Sequence, residues 1–206
     1  MRRKMRKQRW LPILILCSAS VSLAQHGWTA PDLKELSEKD AIGRGVVRLS
    51  PEEVKLLKLV ARREFADCGT DPVLWGPKTA AELFNALRVE RVPLTADGKE
   101  GLVVQGTGYC MCSATGNCPI WIVGENTHPE LLLKVEGIQS FAIQHAQASD
   151  HFDLILGSHD SAMESYLKKY RLDGSKYRRT GCASLEWADG AGNEFDPPRI
   201  TVRRCD

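Results

Sequence analysis

No apolar run in this 206-residue sequence is long enough to cross a bilayer, which takes roughly 20 residues as a helix. A Gly-x-Ser-x-Gly nucleophile elbow is missing, which removes the commonest serine-hydrolase signature. Zinc spacing of the C-x2-C kind is missing too, and no histidine sits within the cysteine cluster to complete a site. The Asp-x-Asp-x-Asp-Gly calcium loop does not occur; the acidic connection from Glu186 to Asp196 does not fit the EF-hand pattern and reads as a solvated loop. No pair of carboxylates is spaced informatively for glycoside hydrolysis. No cofactor and no metal is therefore expected.

What is present begins with an asymmetric amino terminus. Six cationic residues and no acidic ones precede position 10, an apolar run follows (Leu11, Ile13, Leu14, Ile15, Leu16), and small or polar residues end at Ala24. This is the three-part pattern of a secretory signal peptide over 1–24, cut between Ala24 and Gln25. Export to the periplasm or the extracellular space is expected, with no transmembrane segment in the mature chain. The whole chain has 28 Lys+Arg and 26 Asp+Glu; without the leader's six cations the balance is 22 − 26 = −4. Nucleic-acid binding then has no electrostatic support.

Six cysteines remain after the leader: Cys68, Cys110, Cys112, Cys118, Cys182 and Cys205. An even number in an exported chain points to disulfides. Cys112 and Cys118 face each other across the small-residue tip Ser113-Ala-Thr-Gly-Asn117. Cys182 opens one strand-like run and Cys205 closes another, so antiparallel pairing of the two runs brings them together. Cys68 is left for Cys110, tying a helical part to the sheet.

Residues 25–45 read as a flexible tether and 46–206 as a single domain. Ser50-Pro-Glu-Glu53 is a capping box with proline at the first helical position, opening an amphipathic helix over about 51–66. A second box, Thr79-Ala-Ala-Glu82, opens a shorter helix that passes into a strand near 87–92. Short apolar or alternating runs follow at 102–109, 119–124, 130–136, 139–144, 153–158, 164–172, 175–182 and 199–205. Their spacing predicts an antiparallel meander. The fold class expected is α+β: one or two N-terminal helices on a blade-like, disulfide-stapled β-meander. A faint internal repeat lays Leu102-Val-Val over Leu154-Ile-Leu, Trp121-Ile-Val over Tyr166-Leu-Lys, and Leu131-Leu-Leu over Lys176-Tyr-Arg.

Cys112-Ser-Ala-Thr-Gly-Asn-Cys-Pro-Ile-Trp121, Asp153-Leu-Ile-Leu-Gly-Ser-His-Asp-Ser-Ala162 and Tyr170-Arg-Leu-Asp-Gly-Ser-Lys-Tyr177 together resemble a recurring type of uncharacterised exported bacterial protein. Its marks are a C-x-A-T-G-N-C-P-x-W element, a D-L-x-x-G-S-H-x-S-A element and a Y-R-x-D-G-x-x-Y hairpin. The resemblance covers about residues 101–182 and implies no activity. The second half also looks like one blade of the FG-GAP/VCBS propellers, without their calcium loop.

Ser158, His159, Asp160 and Ser161 place hydroxyl, imidazole and carboxylate side by side. Adjacent strand residues point to opposite faces, so a convergent triad is not what this order builds. A strand end followed by a hydrogen-bonded turn is the simpler reading. His128, His145 and His151 read as surface residues. Trp121, Tyr166, Tyr170 and Tyr177 read as sheet-packing aromatics. Three function classes follow. The first is an exported, non-enzymatic binding or inhibitor-like module using the loops 113–117 and 157–163, with a protein or envelope ligand as partner. The others are a structural cell-envelope protein, and a hydrolase using His159 with a nearby serine.

Overall fold

The computed structural model describes residue 28 and residues 47–70, 79–125, 128–144 and 150–205. The leader expected over 1–24, all of the expected tether save Trp28, and His145 lie outside these residues.

Among the described residues three helices come first: α1 (Pro51–Val60), α2 (Arg62–Thr70) and α3 (Ala80–Ala86). Both capping boxes are formed, Ser50 with Glu53 and Thr79 with Glu82. The helix expected over 51–66 is in fact two, meeting at Ala61, whose φ of −99° and ψ of 11° leave helical geometry. Leu57, Ala61 and Phe65 form one apolar cluster with Leu102, Val104, Trp121 and Val123 of the strands. Among the described residues no helix is long and apolar enough to cross a membrane.

Nine strands follow among the described residues, in two antiparallel sheets, each with its strands in chain order. The first holds β1 (Arg88–Pro93), β2 (Glu100–Gln105), β3 (Cys118–Glu125) and β4 (Pro129–Ile138). The second holds β5 (Ser140–Gln144), β6 (Asp153–His159), β7 (Glu164–Asp173), β8 (Lys176–Ala188) and β9 (Glu194–Arg203). Only Gln139 separates β4 from β5, so the chain steps from one sheet to the other at that residue. The segments aligned by the internal repeat fall on β2 and β6, β3 and β7, and β4 and β8.

Strand alternation divides the apolar residues between faces. Val103, Ile120, Ile122 and Leu133 of the first sheet meet Leu154, Leu156, Tyr170 and Tyr177 of the second in a shared core. A register shift between Ile122 and Val123 turns both Leu132 and Leu133 toward that core. The outer face of the first sheet carries Leu102, Val104, Trp121 and Val123; that of the second carries Ile155, Leu167, Ala183 and Leu185.

Two expectations about strands are corrected. The run 102–109 is strand only to Gln105, and Gly108–Met111 makes a single helical turn, α4. Gly108 has φ +77° and takes the chain out of the strand. The solvated connection expected from Glu186 to Asp196 is narrower. β8 runs to Ala188 and β9 begins at Glu194, leaving a loop over 189–193. Asp189 Oδ1 accepts from the amides of Ala191 and Asn193, both at 2.9 Å, and these bonds close the loop.

Candidate functional site

Three disulfides are present: Cys68–Cys110, Cys112–Cys118 and Cys182–Cys205. The first ties α2 to α4, and the third joins β8 to the residues just after β9. The second closes the loop between α4 and β3, and so fixes the tip Ser113–Asn117.

Inside that tip the backbone hydrogen bonds are local. The Ser113 amide donates to the Asn117 carbonyl at 2.8 Å, and the Gly116 amide to the Ser113 carbonyl at 2.9 Å. Ser113 Oγ and Thr115 Oγ1 lie 2.8 Å apart. Gly116 holds φ +82°, a conformation that favours glycine. Residues 113–116 are exposed while Cys118 is buried, so the loop stands up from the end of the first sheet.

The second sheet supplies the neighbouring loop. β6 ends at His159, and 160–163 turn back into β7. Asp160 and Ser161 both donate their amides to the Glu164 carbonyl, at 3.1 and 3.2 Å. Ser161 Oγ accepts from the amides of Met163 and Glu164, at 3.2 and 3.1 Å. His159 Nδ1 stands 3.1 Å from the Ser161 carbonyl, an arrangement that suits an Nδ1–H tautomer. The Met163 carbonyl accepts from the Trp187 amide at 2.9 Å, which pins the turn to β8. Met163 itself is 44% exposed, one of two large apolar side chains left open among the described residues.

Asn117 joins the two loops. Its Nδ2 donates to the His159 carbonyl at 2.7 Å, and its Oδ1 accepts from the His159 amide at 2.9 Å. A side-chain amide thus pairs with a backbone unit as a neighbouring strand would, across 42 residues of sequence. Nδ2 also donates to Thr115 Oγ1 at 3.0 Å, so the amide is satisfied on both sides. The disulfide-closed tip and the 157–163 turn are therefore one surface, contributed by both sheets.

The four candidate residues occupy different positions on that surface. Ser158 pairs with Tyr166 on the face that carries Leu156 into the core. His159 lies on the opposite face by alternation, so the two side chains diverge. Asp160 and Ser161 are exposed in the turn. The Ser161 hydroxyl is engaged by two backbone amides, and the His159 imidazole by a carbonyl rather than a hydroxyl. This geometry orders a loop and activates no nucleophile. Asn117 went unrecognised beyond its role as a turn residue; nothing local in the sequence marks a partner so distant.

Elsewhere two buried polar groups, Asp153 and Tyr177, are engaged by protein partners. Asp153, buried at the start of β6, takes a bidentate fork from Arg171 at 3.0 and 2.9 Å and an ammonium contact from Lys169 at 3.1 Å. Burial would raise its pKa, but the Arg171 and Lys169 hydrogen bonds and charges outweigh this and hold the carboxyl below its ordinary value. The Tyr177 hydroxyl donates to the Phe152 carbonyl at 3.1 Å, and burial pushes its pKa up. At the other end of the strands a cavity of about 190 Å³ is lined by Leu94, Thr95, Glu130, Leu132, His151 and Tyr177, among others. Among the described residues no three His, Cys, Asp or Glu side chains come together as a metal site would need. Compared with protein-family models, with curated proteins and with solved structures, the chain matches none of them.

Proposed function

We propose that this protein is an exported, non-enzymatic binding module that captures a protein or envelope ligand on the paired loops 113–117 and 157–163. One observation carries the reading: the double hydrogen bond between the Asn117 side chain and the His159 backbone. Loops held before contact lose less conformational freedom on binding, so preorganisation favours capture. The Cys112–Cys118 disulfide fixes one loop from within, and the Ser161 turn fixes the other. The exposed set of hydroxyls, Asp160 and Met163 offers polar contacts around one apolar anchor. Export rests on the leader pattern of residues 1–24, and three disulfides agree with an oxidising compartment. The N-terminal helices belong to the same module, lying over the outer face of the first sheet. Both loops fall in the stretches, Cys112–Trp121 and Asp153–Ala162, whose resemblance to uncharacterised exported bacterial proteins supports the reading.

The test uses the disulfide-intact protein as bait for chemical crosslinking in extracts of the exported fraction, beside an Asn117→Ala variant of matching near-native circular dichroism. Capture of a discrete species by the wild type, reduced at least tenfold in the variant, supports the reading. Equal capture by both sinks it. Turnover of a model ester that disappears with His159→Ala would return the site to the hydrolase class.

A further inference from the structure

The outer face of the second sheet has an unusual relief. Two adjacent rows cross it: Ala142, Ile155, Lys169 and Gly181 in one, and Gly157, Leu167, Ala183 and Val202 in the next. Small residues recur in both rows where strands more often carry β-branched or aromatic side chains. Ser140 covers Gly157, and the small residues Ala142, Gly181 and Ala183 leave room beside Ile155, Leu167 and Leu185.

Trp28 occupies it. The indole is 2% exposed and belongs to the same apolar cluster as Ala142, Ile155, Leu167, Ala183 and Leu185. It lies directly over Gly181: a Cβ at that position would come within 3.2 Å of Trp28 Nε1 and 3.6 Å of Cε2. Any side chain at 181 would thus press into the indole's place. The burial of charge on this face points the same way. Lys169 and Asp153 both project from it, yet their side chains are only 6% and 1% exposed. A sheet face open to water would leave that ammonium hydrated.

We propose that this face is an indole socket and that the chain fills it in cis with its own Trp28. Trp28, which falls in the stretch expected as a free tether, is then the ligand of a surface distinct from the paired loops. The proposal does not depend on the binding-module reading. A buried aromatic in a preformed pocket is the usual anchor of a protein interface, so an aromatic side chain on a second peptide is the chemistry that would compete for the seat.

The full chain labelled with 5-fluorotryptophan tests this, with Trp28→Phe assigning the resonance of interest. In the wild type the Trp28 signal is expected to be shielded from solvent and from iodide. Gly181→Val is expected to move that signal alone to the solvent-exposed position. A synthetic peptide of residues 25–32 is expected to bind Trp28→Ala at least tenfold more tightly than the wild type, whose socket is full. A solvent-exposed Trp28 signal in the wild type overturns the proposal even where neither variant folds. Equal peptide binding by both proteins also overturns it. So does a wild-type dimer that Trp28→Ala converts to monomer, because the occupant would then be the tryptophan of a second copy.

Discussion

The two sheets share a meander topology and a core, yet they are stabilised by different physics on their outer faces. The first is apolar on both sides of its inner strand β3, and its outer-face cations Arg91 and Lys134 pair with Glu53 and Glu64 of the helices. Every residue of β3 from Cys118 to Gly124 is buried, with Trp121 and Val123 on one face and Ile120 and Ile122 on the other. Such a sheet is held by burial, which is strong and non-directional. The second sheet places an ion cluster, Asp153 with Lys169 and Arg171, beside a hollow of glycine and alanine. Its cover has to satisfy geometry and charge as well as area. Two sheets of like connectivity can therefore be made robust by different means.

The largest effect breaks the first sheet. Trp121 is fully buried and sits between the strands and the residues of α1 and α2. Trp121→Ala is expected to cost about 4 kcal/mol, from lost transfer energy and the cavity left behind. Urea unfolding monitored by circular dichroism measures it.

The next breaks the second sheet by charge. Asp153→Ala leaves the Lys169 ammonium buried without its carboxylate and is expected to cost about 3 kcal/mol. Arg171, half-exposed, regains water when the pair is lost. Asp153→Leu combined with Lys169→Met removes both buried charges and is expected to recover most of the loss. Acid gives the same comparison without mutation. The folded carboxyl titrates below its unfolded value of about 3.9, so its contribution is complete above that pH. It disappears as pH falls through the lower, folded value. Unfolding free energies measured between pH 5 and 2 should decline less steeply in the double variant than in the wild type.

A third, smaller effect separates stability from function. Cys112–Cys118 closes a sequence separation of only 6, against 42 and 23 for the other two bridges. Chain-entropy arguments give it about 2 kcal/mol, the least of the three. Cys112→Ser with Cys118→Ser is expected to lower the urea midpoint modestly while abolishing the capture tested with Asn117→Ala. Loss of the midpoint with capture kept would uncouple the bridge from the loop surface.

Much of this architecture was legible in the sequence, because its determinants are local. Alternation and turn residues place eight of the strand runs close to where they fall. The capping boxes at Ser50 and Thr79 locate helix starts to the residue, since a cap is a hydrogen bond between residues three apart. The cysteine spacings carry a bridging geometry that hairpin pairing makes explicit. Errors cluster where long-range packing overrides local pattern. Tyr109 continues an alternating run, but Gly108 has already turned the chain. Glu186 and Asp196 look like loop acids, but β8 and β9 pair beyond Cys182 as far as Ala188 with Glu194. The loop surface was half legible: both loops stand out by composition, while their union through Asn117 depends on two sheets meeting.

The helix caps give the finest contrast between the regions. Ser50 and Thr79 make the same pair of bonds, 2.5 and 3.2 Å in one box, 3.0 and 3.2 Å in the other. Glu53 in the first box is buried and also receives Arg91 of β1 at 3.2 Å, whereas the second box is exposed. Losing Ser50 therefore loosens a carboxylate that the first sheet uses, while losing Thr79 frees groups that water can satisfy. Each substitution to alanine is expected to cost about 1 kcal/mol, with Ser50→Ala the larger. Arg91→Met should narrow that difference, because it removes the link between cap and strand. If Ser50→Ala and Thr79→Ala cost the same in both backgrounds, the ion pair adds nothing to the cap, and α1 is held to the first sheet by apolar contact alone.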